Sequence, residues 1–429
     1  MSSLSPNSSR FAQPSPAPSP AAPLRVGLIG FGCVGQGVYD ILRRQPNAGA
    51  EVRRIAVKNP DKVRSLPAES FTYHADELLA DPDLDVLVEV IDDAAEAFRL
   101  VSTALRHGRR VVTANKAMVA EHLAELVALQ QTHGGTLLYE AAVCGSIPVI
   151  RTLDAYFGQE PLRSVSGIVN GSSNYVLTRM GLDGADYAPA LAEAQAKGFA
   201  ETDPTLDMAA FDPRAKAVIL AAHAYGVLLS PAQVLNLGIE NISATDIAYA
   251  GLADQKVKVV AGLYLLPDGQ LTVLVTPQFV SSDSPLYAVD EEFNGVVIEA
   301  EFAGSQFLRG RGAGGHPTGS AVLADLAALR GDFRYAYAKL GAPLSYTTDL
   351  ELKIYLRTDH EVLLDQLGFT DISEEADEDG YVVGYVPLDA LLQHRDALRK
   401  AGAFVARTGN VRPGTVHSEE NPALEEVSC

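Results

Sequence analysis

The sequence predicts an α/β protein with a doubly wound parallel sheet, a second α+β domain and a small C-terminal α+β unit. Three observations carry that reading. Between residues 24 and 138, short apolar runs alternate with stretches of helical period; strands separated by helices of this length form βαβ units and a parallel sheet. From residue 139 the apolar runs lengthen and take on the alternation of a mostly antiparallel sheet. A length of 429 residues exceeds what one hydrophobic core serves, so two or three domains are expected.

The first 23 residues are rich in Ser, Pro and Ala, with Arg10 as their one charge. They have no basic start followed by an apolar stretch, so they predict a disordered leader rather than a secretory signal. The dinucleotide-type domain then spans 24–138. LRVGLIG, VRRIAVK, LDVLVEVI, RRVVTA and TLLYEA are its strands; VGQGVYDILRR, AAEAFRLVSTALRHG and MVAEHLAELVALQQTHG are its helices. A second domain covers 139–309, with SVSGIVN as a strand and helices near Tyr175–Met180, Tyr187–Lys197 and Pro213–Tyr225. KVVAGLYLL, LTVLVTPQFV, GVVIEAEF and SQFLRGRG are its later strands. GAGGHPTGSAVLADLAALR opens a helix on glycine, in a segment (310–345) expected to return to the first domain. Residues 346–410 form the C-terminal unit, with ELKIYLRT, YVVGYVP and AFVART as strands and the acidic SEEADEDG between elements; 411–429 is expected to be a disordered tail.

The formal net charge of −20 is spread along the chain and repels phosphate backbones, which argues against nucleic-acid binding. No apolar run reaches membrane-spanning length. Cys33, Cys144 and Cys429 are too few and too scattered for a disulfide framework, which fits a reducing cytoplasm. The nine histidines, His223 among them, show no metal-ligand spacing, so no zinc site is expected; Cys144 reads as a small packing residue.

Gly30-Phe31-Gly32-Cys33-Val34-Gly35 follows the first strand directly and opens a helix. In that context a G-x-G-x-x-G binds a dinucleotide. Gly30 permits the tight turn, Gly32 lets the backbone approach a pyrophosphate, and Gly35 lets helix and strand pack closely. The helix N-terminus offers free N–H groups to the phosphates. This makes the first domain Rossmann-type. Where an NAD site usually places a carboxylate, this chain has Lys58, with Arg53, Arg54 and Lys62 near; a lysine there favours the 2′-phosphate of NADP, and Asp61 keeps NAD open.

Five further segments occur in order: Thr113-Ala-Asn-Lys116, Glu140 to Pro148, Asn170-Gly-Ser-Ser-Asn-Tyr175, Lys197 to Lys216, and Gly310 to Ser320. Asp212 and Lys216 are four apart on one helix face. Together the segments resemble homoserine dehydrogenase from about Leu24 to Arg330. The resemblance implies reversible NAD(P)H-dependent reduction of L-aspartate 4-semialdehyde to L-homoserine, within threonine, methionine and isoleucine biosynthesis. It implies a substrate site of Gly198, Glu201, Asp207, Asp212 and Lys216, with Lys116 between nicotinamide and substrate and Gly312 near the dinucleotide. It also implies a monovalent cation, usually sodium, held by Glu140 and the carbonyls of Val143, Gly145 and Ile147, and a homodimer or homotetramer. On this reading Lys216, Lys116 and Asp212 carry the catalysis.

Two departures stand out. The family's Gly-Gly after the fourth strand is Asp92-Asp93 here. The C-terminal pattern allows an ACT-like βαββαβ unit, but Thr358-Asp359-His360-Glu361 replaces its effector loop. Other readings are a different amino-acid or oxo-acid dehydrogenase, which the Gly198–Lys216 segment opposes, and a non-catalytic dinucleotide sensor, which the presence of Lys116 and Lys216 opposes.

Overall fold

The computed structural model describes residues 22–376 and 380–413. The expected leader up to residue 21 and the tail from residue 414 lie outside the described residues.

The first domain runs β1 (Leu24–Ile29), α1 (Cys33–Arg44), β2 (Ala50–Ala56), β3 (Phe71–Thr72), α2 (Asp76–Ala80), β4 (Val86–Glu89), α3 (Ala94–Arg106), β5 (Arg110–Thr113), α4 (Lys116–His133) and β6 (Thr136–Leu138). Its six strands are parallel in the order β3-β2-β1-β4-β5-β6. β4 is buried along its whole length and β6 likewise, which is why they read as continuous apolar runs rather than alternating ones. The order reverses between β1 and β4, and a crevice for ligands opens there at the carboxyl ends of the strands.

The chain then forms α5 (Val149–Arg151), β7 (Leu162–Ile168), α6 (Gly171–Asp183), α7 (Tyr187–Ala196), α8 (Thr205–Met208), α9 (Phe211–Tyr225), β8 (Leu235–Asn236), α10 (Ala244–Leu252), β9 (Lys256–Leu265), β10 (Leu271–Val280), β11 (Phe293–Ala300) and β12 (Gly304–Arg311). Twelve of the fifteen residues of α9 are buried, because it lies between α4 and the strands β9 and β10. That position carries residues of the second domain up against the first.

α11 (Gly315–Arg330) returns to the first domain and packs on α1. The two helices meet backbone to backbone: a Cβ on Gly37 would lie 2.1 Å from the Gly315 carbonyl oxygen. Past this helix the segment still touches the first domain, where Arg334 donates to the Gly134 carbonyl at 3.0 Å. Residues 335–347 then run over the second domain and the hinge that joins the two domains (Glu140–Pro148, entered from Tyr139), where Tyr335 Oη accepts the Tyr139 N–H at 3.3 Å and Lys339 Nζ donates to the Ala224 carbonyl at 2.9 Å.

The last unit is β13 (Leu350–Arg357), α12 (Glu361–Leu367), β14 (Thr370–Ala376), β15 (Tyr381–Pro387), α13 (Leu388–Lys400) and β16 (Phe404–Pro413), a βαββαβ order. It does not form a sheet of its own. Pairing of Gln278 with Arg407 joins it to the second domain in one ten-stranded sheet, ordered β12-β11-β7-β9-β10-β16-β13-β15-β14 with β8 beside β10. Buried Arg407 fastens the seam, donating to Tyr264 Oη and Gln278 Oε1, each at 2.6 Å. Two expectations are corrected here. The first half of the acidic stretch is part of strand β14, and β16 continues to Pro413, three residues into the segment expected to be tail.

Candidate active site

Asp212 lies in the first turn of α9 and is 4 % exposed. The residue before that helix, Ala210, sits in the left-handed region at φ 59°, a strained conformation for a residue with a Cβ that re-aims the helix start. Three side chains converge on the Asp212 carboxylate. Lys216, one turn later, approaches Oδ2 at 2.8 Å; Lys116, the first residue of α4, approaches Oδ1 at 2.6 Å; Asn170 Nδ2 donates to Oδ2 at 2.8 Å. Asn170 Nδ2 also donates to Asp207 Oδ1 at 2.7 Å, and the Lys216 ammonium donates to the Val169 carbonyl at 2.6 Å. Lys216 is buried, whereas Lys116 is half-exposed.

Burial alone would raise the Asp212 pKa, but the Lys116 and Lys216 charges overcome it and hold the carboxyl well below the usual range. Asp212 in turn raises Lys116 against its own desolvation, and Asp207 and Glu201 add to that pull. Asp212 and Lys116 therefore both stay charged near neutral pH. The cluster has both signs of fixed charge, as a zwitterionic substrate needs. Glu201 is exposed, and Gly198 turns the chain between α7 and Glu201 at φ 77°.

Asn170 was not assigned a role from sequence. Its Oδ1 caps α6 through the Ser173 N–H at 2.9 Å while its Nδ2 bridges the two aspartates. The signal was present in the Asn-Gly-Ser-Ser-Asn string, which reads as a helix opener and hides the second job.

At the crevice, the Gly30–Gly35 loop has the shape its spacing requires. A Cβ on Gly35 would lie 2.3 Å from the Gly30 oxygen, and one on Gly30 would lie 2.8 Å from the Val90 oxygen; beside Gly32 there is open space. α1 begins at Cys33 with no side-chain cap, so its first N–H groups remain for an anion. Phe31 is buried edge-on against Tyr39 and Phe71, and Val34 is half-buried, so these two shape the loop by packing. The residues fit a dinucleotide phosphate. Lys58 lies just past β2, almost fully exposed, with Asp93 Oδ2 3.8 Å away. Asp93 in turn accepts the Glu96 N–H at 3.0 Å and caps α3, so the carboxylate at the departure from Gly-Gly serves the helix.

Gly312 packs against the hinge: the Arg311 carbonyl accepts the Ser146 N–H at 3.0 Å, and Gly145 abuts the Gly312 oxygen. Cys144 is buried beside this contact, and that burial pushes its thiol pKa up to about 11. Glu140 Oε1 and Oε2 accept the Ile150 and Arg151 N–H groups at 2.9 and 2.8 Å, so the carboxylate caps α5. The Ile147 carbonyl accepts the Val149 N–H at 2.8 Å. His223 is buried, with Nδ1 3.2 Å from Asp154 and Nε2 2.8 Å from Tyr139 Oη, a structural placement. Among the described residues no group of three His, Cys, Asp or Glu side chains has metal-holding geometry, and no helix is long and apolar enough to cross a membrane.

Comparison with known proteins agrees with this geometry. Residues 30–140 match the family model "Homoserine dehydrogenase, NAD binding domain", and residues 148–327 match "Homoserine dehydrogenase". The homoserine dehydrogenase of Corynebacterium glutamicum is 39 % identical over 323 residues, covering 72 % of this chain and 73 % of that protein. The crystal structure of a homoserine dehydrogenase from Thiobacillus denitrificans superposes with a TM-score of 0.77 at 28 % identity, covering 90 % of this chain and 98 % of that one. A hyperthermophilic archaeal homoserine dehydrogenase in complex with NADPH gives 0.62 at 26 % identity, covering 73 % and 99 %. With both family models matched in order and a charged cluster facing a dinucleotide crevice, the chain belongs to the homoserine dehydrogenases, NAD(P)-dependent oxidoreductases that interconvert L-aspartate 4-semialdehyde and L-homoserine.

Proposed function

We propose that Asp212, Lys116 and Lys216 are the catalytic group of this dehydrogenase, with Lys216 as the proton donor in the reducing direction. One observation carries the reading: a single buried carboxylate is shared by a lysine from each domain, at 2.6 and 2.8 Å. The nicotinamide cofactor, when bound, supplies the hydride that reduces the aldehyde carbon. The oxygen then becomes negative and needs a proton or a fixed positive charge. Lys216 gives its proton to that oxygen, and Lys116 offsets the charge from the cofactor side. Asp212 keeps the Lys116 ammonium charged and aligns both lysines. Asp207 and Glu201, with Gly198 making their approach, hold the substrate ammonium. In the oxidising direction Lys216 takes the hydroxyl proton back.

The cofactor in this reading is NADP. Lys58 supports it by its place just past β2, and so does the archaeal relative bound to NADPH. Gly30, Gly32, Cys33 and Gly35 offer the phosphate cradle, with Phe31 and Val34 packed behind it, and Gly312 closes over it from the hinge side. A monovalent cation, sodium, would take Glu140 with the carbonyls of Val143, Gly145 and Ile147; each Glu140 oxygen keeps a lone pair beyond its one amide. The enzyme works in the cytoplasm as a homodimer or homotetramer through the second domain's sheet.

Lys216→Ala should lower kcat by roughly 10²–10⁴-fold, the usual worth of a general acid. NADPH binding, read by fluorescence, should persist. A folded variant that binds NADPH and turns over within a few-fold of the parent would reduce Lys216 to an ordinary helix lysine.

A further inference from the structure

Glu89 ends β4 at the carboxyl edge of the parallel sheet, with 0 % exposure. A carboxylate taken out of water at such a position is costly unless its oxygens are well used. Here Oε1 accepts the Ile91 N–H at 2.8 Å and Oε2 accepts the Thr113 hydroxyl at 2.5 Å. The same Thr113 oxygen accepts the Asn115 N–H at 3.0 Å. Asn115 caps α4 by accepting the Met118 N–H at 3.0 Å, and its Nδ2 donates to the Ile91 carbonyl at 3.2 Å. The next residue is Lys116. One buried carboxylate thus fastens the loop after β4 to the loop after β5, and the second of these presents Lys116 to Asp212.

We infer that Glu89 is a positioning residue for the reaction, setting through Thr113 and Asn115 where the Lys116 ammonium enters the cleft. The inference rests on the reading that Lys116 acts on the substrate. An apolar side chain would fill the space beneath these loops as well, yet it could not accept the Ile91 and Thr113 hydrogens. Without those two bonds the loop before α4 is tied there only by the Ala114 N–H to the Glu89 carbonyl at 3.2 Å and by the Asn115–Ile91 bond, and Lys116 is freer to pivot about the helix start. Displacing a catalytic group by about 1 Å can cost on the order of 10²-fold in rate.

The test is a double-mutant cycle on the full-length enzyme, measuring kcat and KM for both substrates with Glu89→Ala, Thr113→Val, Lys116→Ala and the combinations. Glu89→Ala and Thr113→Val should each lower kcat by roughly 10- to 100-fold, with a smaller change in the cofactor KM. Glu89→Gln, which keeps an acceptor for Ile91 and gains a donor for Thr113, should recover most of the loss. In the Lys116→Ala background the same substitutions should have little further effect, because the group they position is gone. Full and additive losses in both backgrounds would overturn the inference, as would parental kcat in Glu89→Ala. If Glu89→Ala does not fold, near-isosteric Thr113→Val decides alone: unchanged kcat there overturns it. Parental turnover in Lys116→Ala itself would instead sink the reading of the catalytic group, so the two failures are distinct.

Discussion

At the scale of single residues, two positions turn local chemistry into measurable behaviour. Lys58 stands almost fully exposed just past β2, with a carboxylate 3.8 Å from its ammonium and nothing enclosing it. An exposed pair of that kind is worth little by itself, so the lysine is available to a 2′-phosphate. Lys58→Glu should raise the KM for NADPH several-fold more than the KM for NADH; equal changes would mean that the side chain does not touch the 2′ position. Glu89 gives a pH prediction. Burial pushes its carboxyl from 4.5 up to about 7, against the opposing bonds from Thr113 and Ile91. The fold therefore retains a proton that the unfolded chain releases. Stability from this group is full below about pH 4.5 and is lost as the pH rises through about 7. Glu89→Gln carries no such proton, so between pH 5 and pH 8 the thermal midpoint of the parent should fall relative to that of the variant. Parallel midpoint curves would show that Glu89 does not titrate in this window. The sequence made the Asp212–Lys216 pair legible through its four-residue spacing, whereas Glu89 was indistinguishable there from the apolar strand it ends. A buried carboxylate announces itself only by partners distant in the chain, here Thr113, 24 residues on.

At the scale of elements, period and punctuation located most strands and helices, and the failures have physical causes. β14 went unread because it is an edge strand exposed on nearly every residue, so no buried face imposes alternation on Thr370–Ala376. β8 is two residues long and leaves no period at all; α10, rich in Ala with only Asp246 and Ala250 buried, has little apolar stripe. α9 shows the opposite limit: it is buried almost all round, so it is helical without being amphipathic. The contact of α1 with α11 was not derivable from either helix alone, since it depends on Gly37 meeting Gly315, 278 positions apart. A methyl at Gly37 would lie 2.1 Å from a backbone oxygen, which cannot rotate away as a side chain can. Gly37→Ala should therefore push α11 off α1, costing about 1–3 kcal/mol in urea unfolding. Because α11 carries the glycine-rich segment past the Cys33 loop, the same change should raise the KM for the cofactor more than that for the amino-acid substrate. Parental stability together with a parental cofactor KM would show that the helices tolerate separation and that their close approach does not serve the dinucleotide.

At the scale of the molecule, the proposed catalytic group depends on how one domain is held against the other, since Lys116 and Asp212 belong to different ones. Besides the packing of α9 on α4, three connections across that boundary bear on the site. The Lys116–Asp212 pair closes the cleft, α11 returns to pack on α1, and the segment from Glu140 to Pro148 forms the hinge itself. In the hinge, Glu140 holds the start of α5 by two amides, and its own N–H donates to Asp325 Oδ2 of α11 at 3.0 Å. Ser146 meanwhile binds the Arg311 carbonyl at the start of the glycine-rich segment. A cation on Glu140 and the neighbouring carbonyls would therefore brace both return paths together, and its removal should be felt by the whole fold rather than by one loop. A ligand that binds only the folded state stabilises by about 2.7 kcal/mol at 100 times its dissociation constant. Replacing sodium by choline at constant ionic strength should lower the thermal midpoint of the parent and its kcat together, and titrating sodium back should restore both along one saturation curve. Glu140→Gln, which keeps the outline of the side chain and one of its two acceptors but cannot ionise, should leave the midpoint insensitive to the exchange. A parent whose midpoint and activity are the same in sodium and in choline has no cation at the hinge, and Glu140 is then a buried cap for α5 and nothing more.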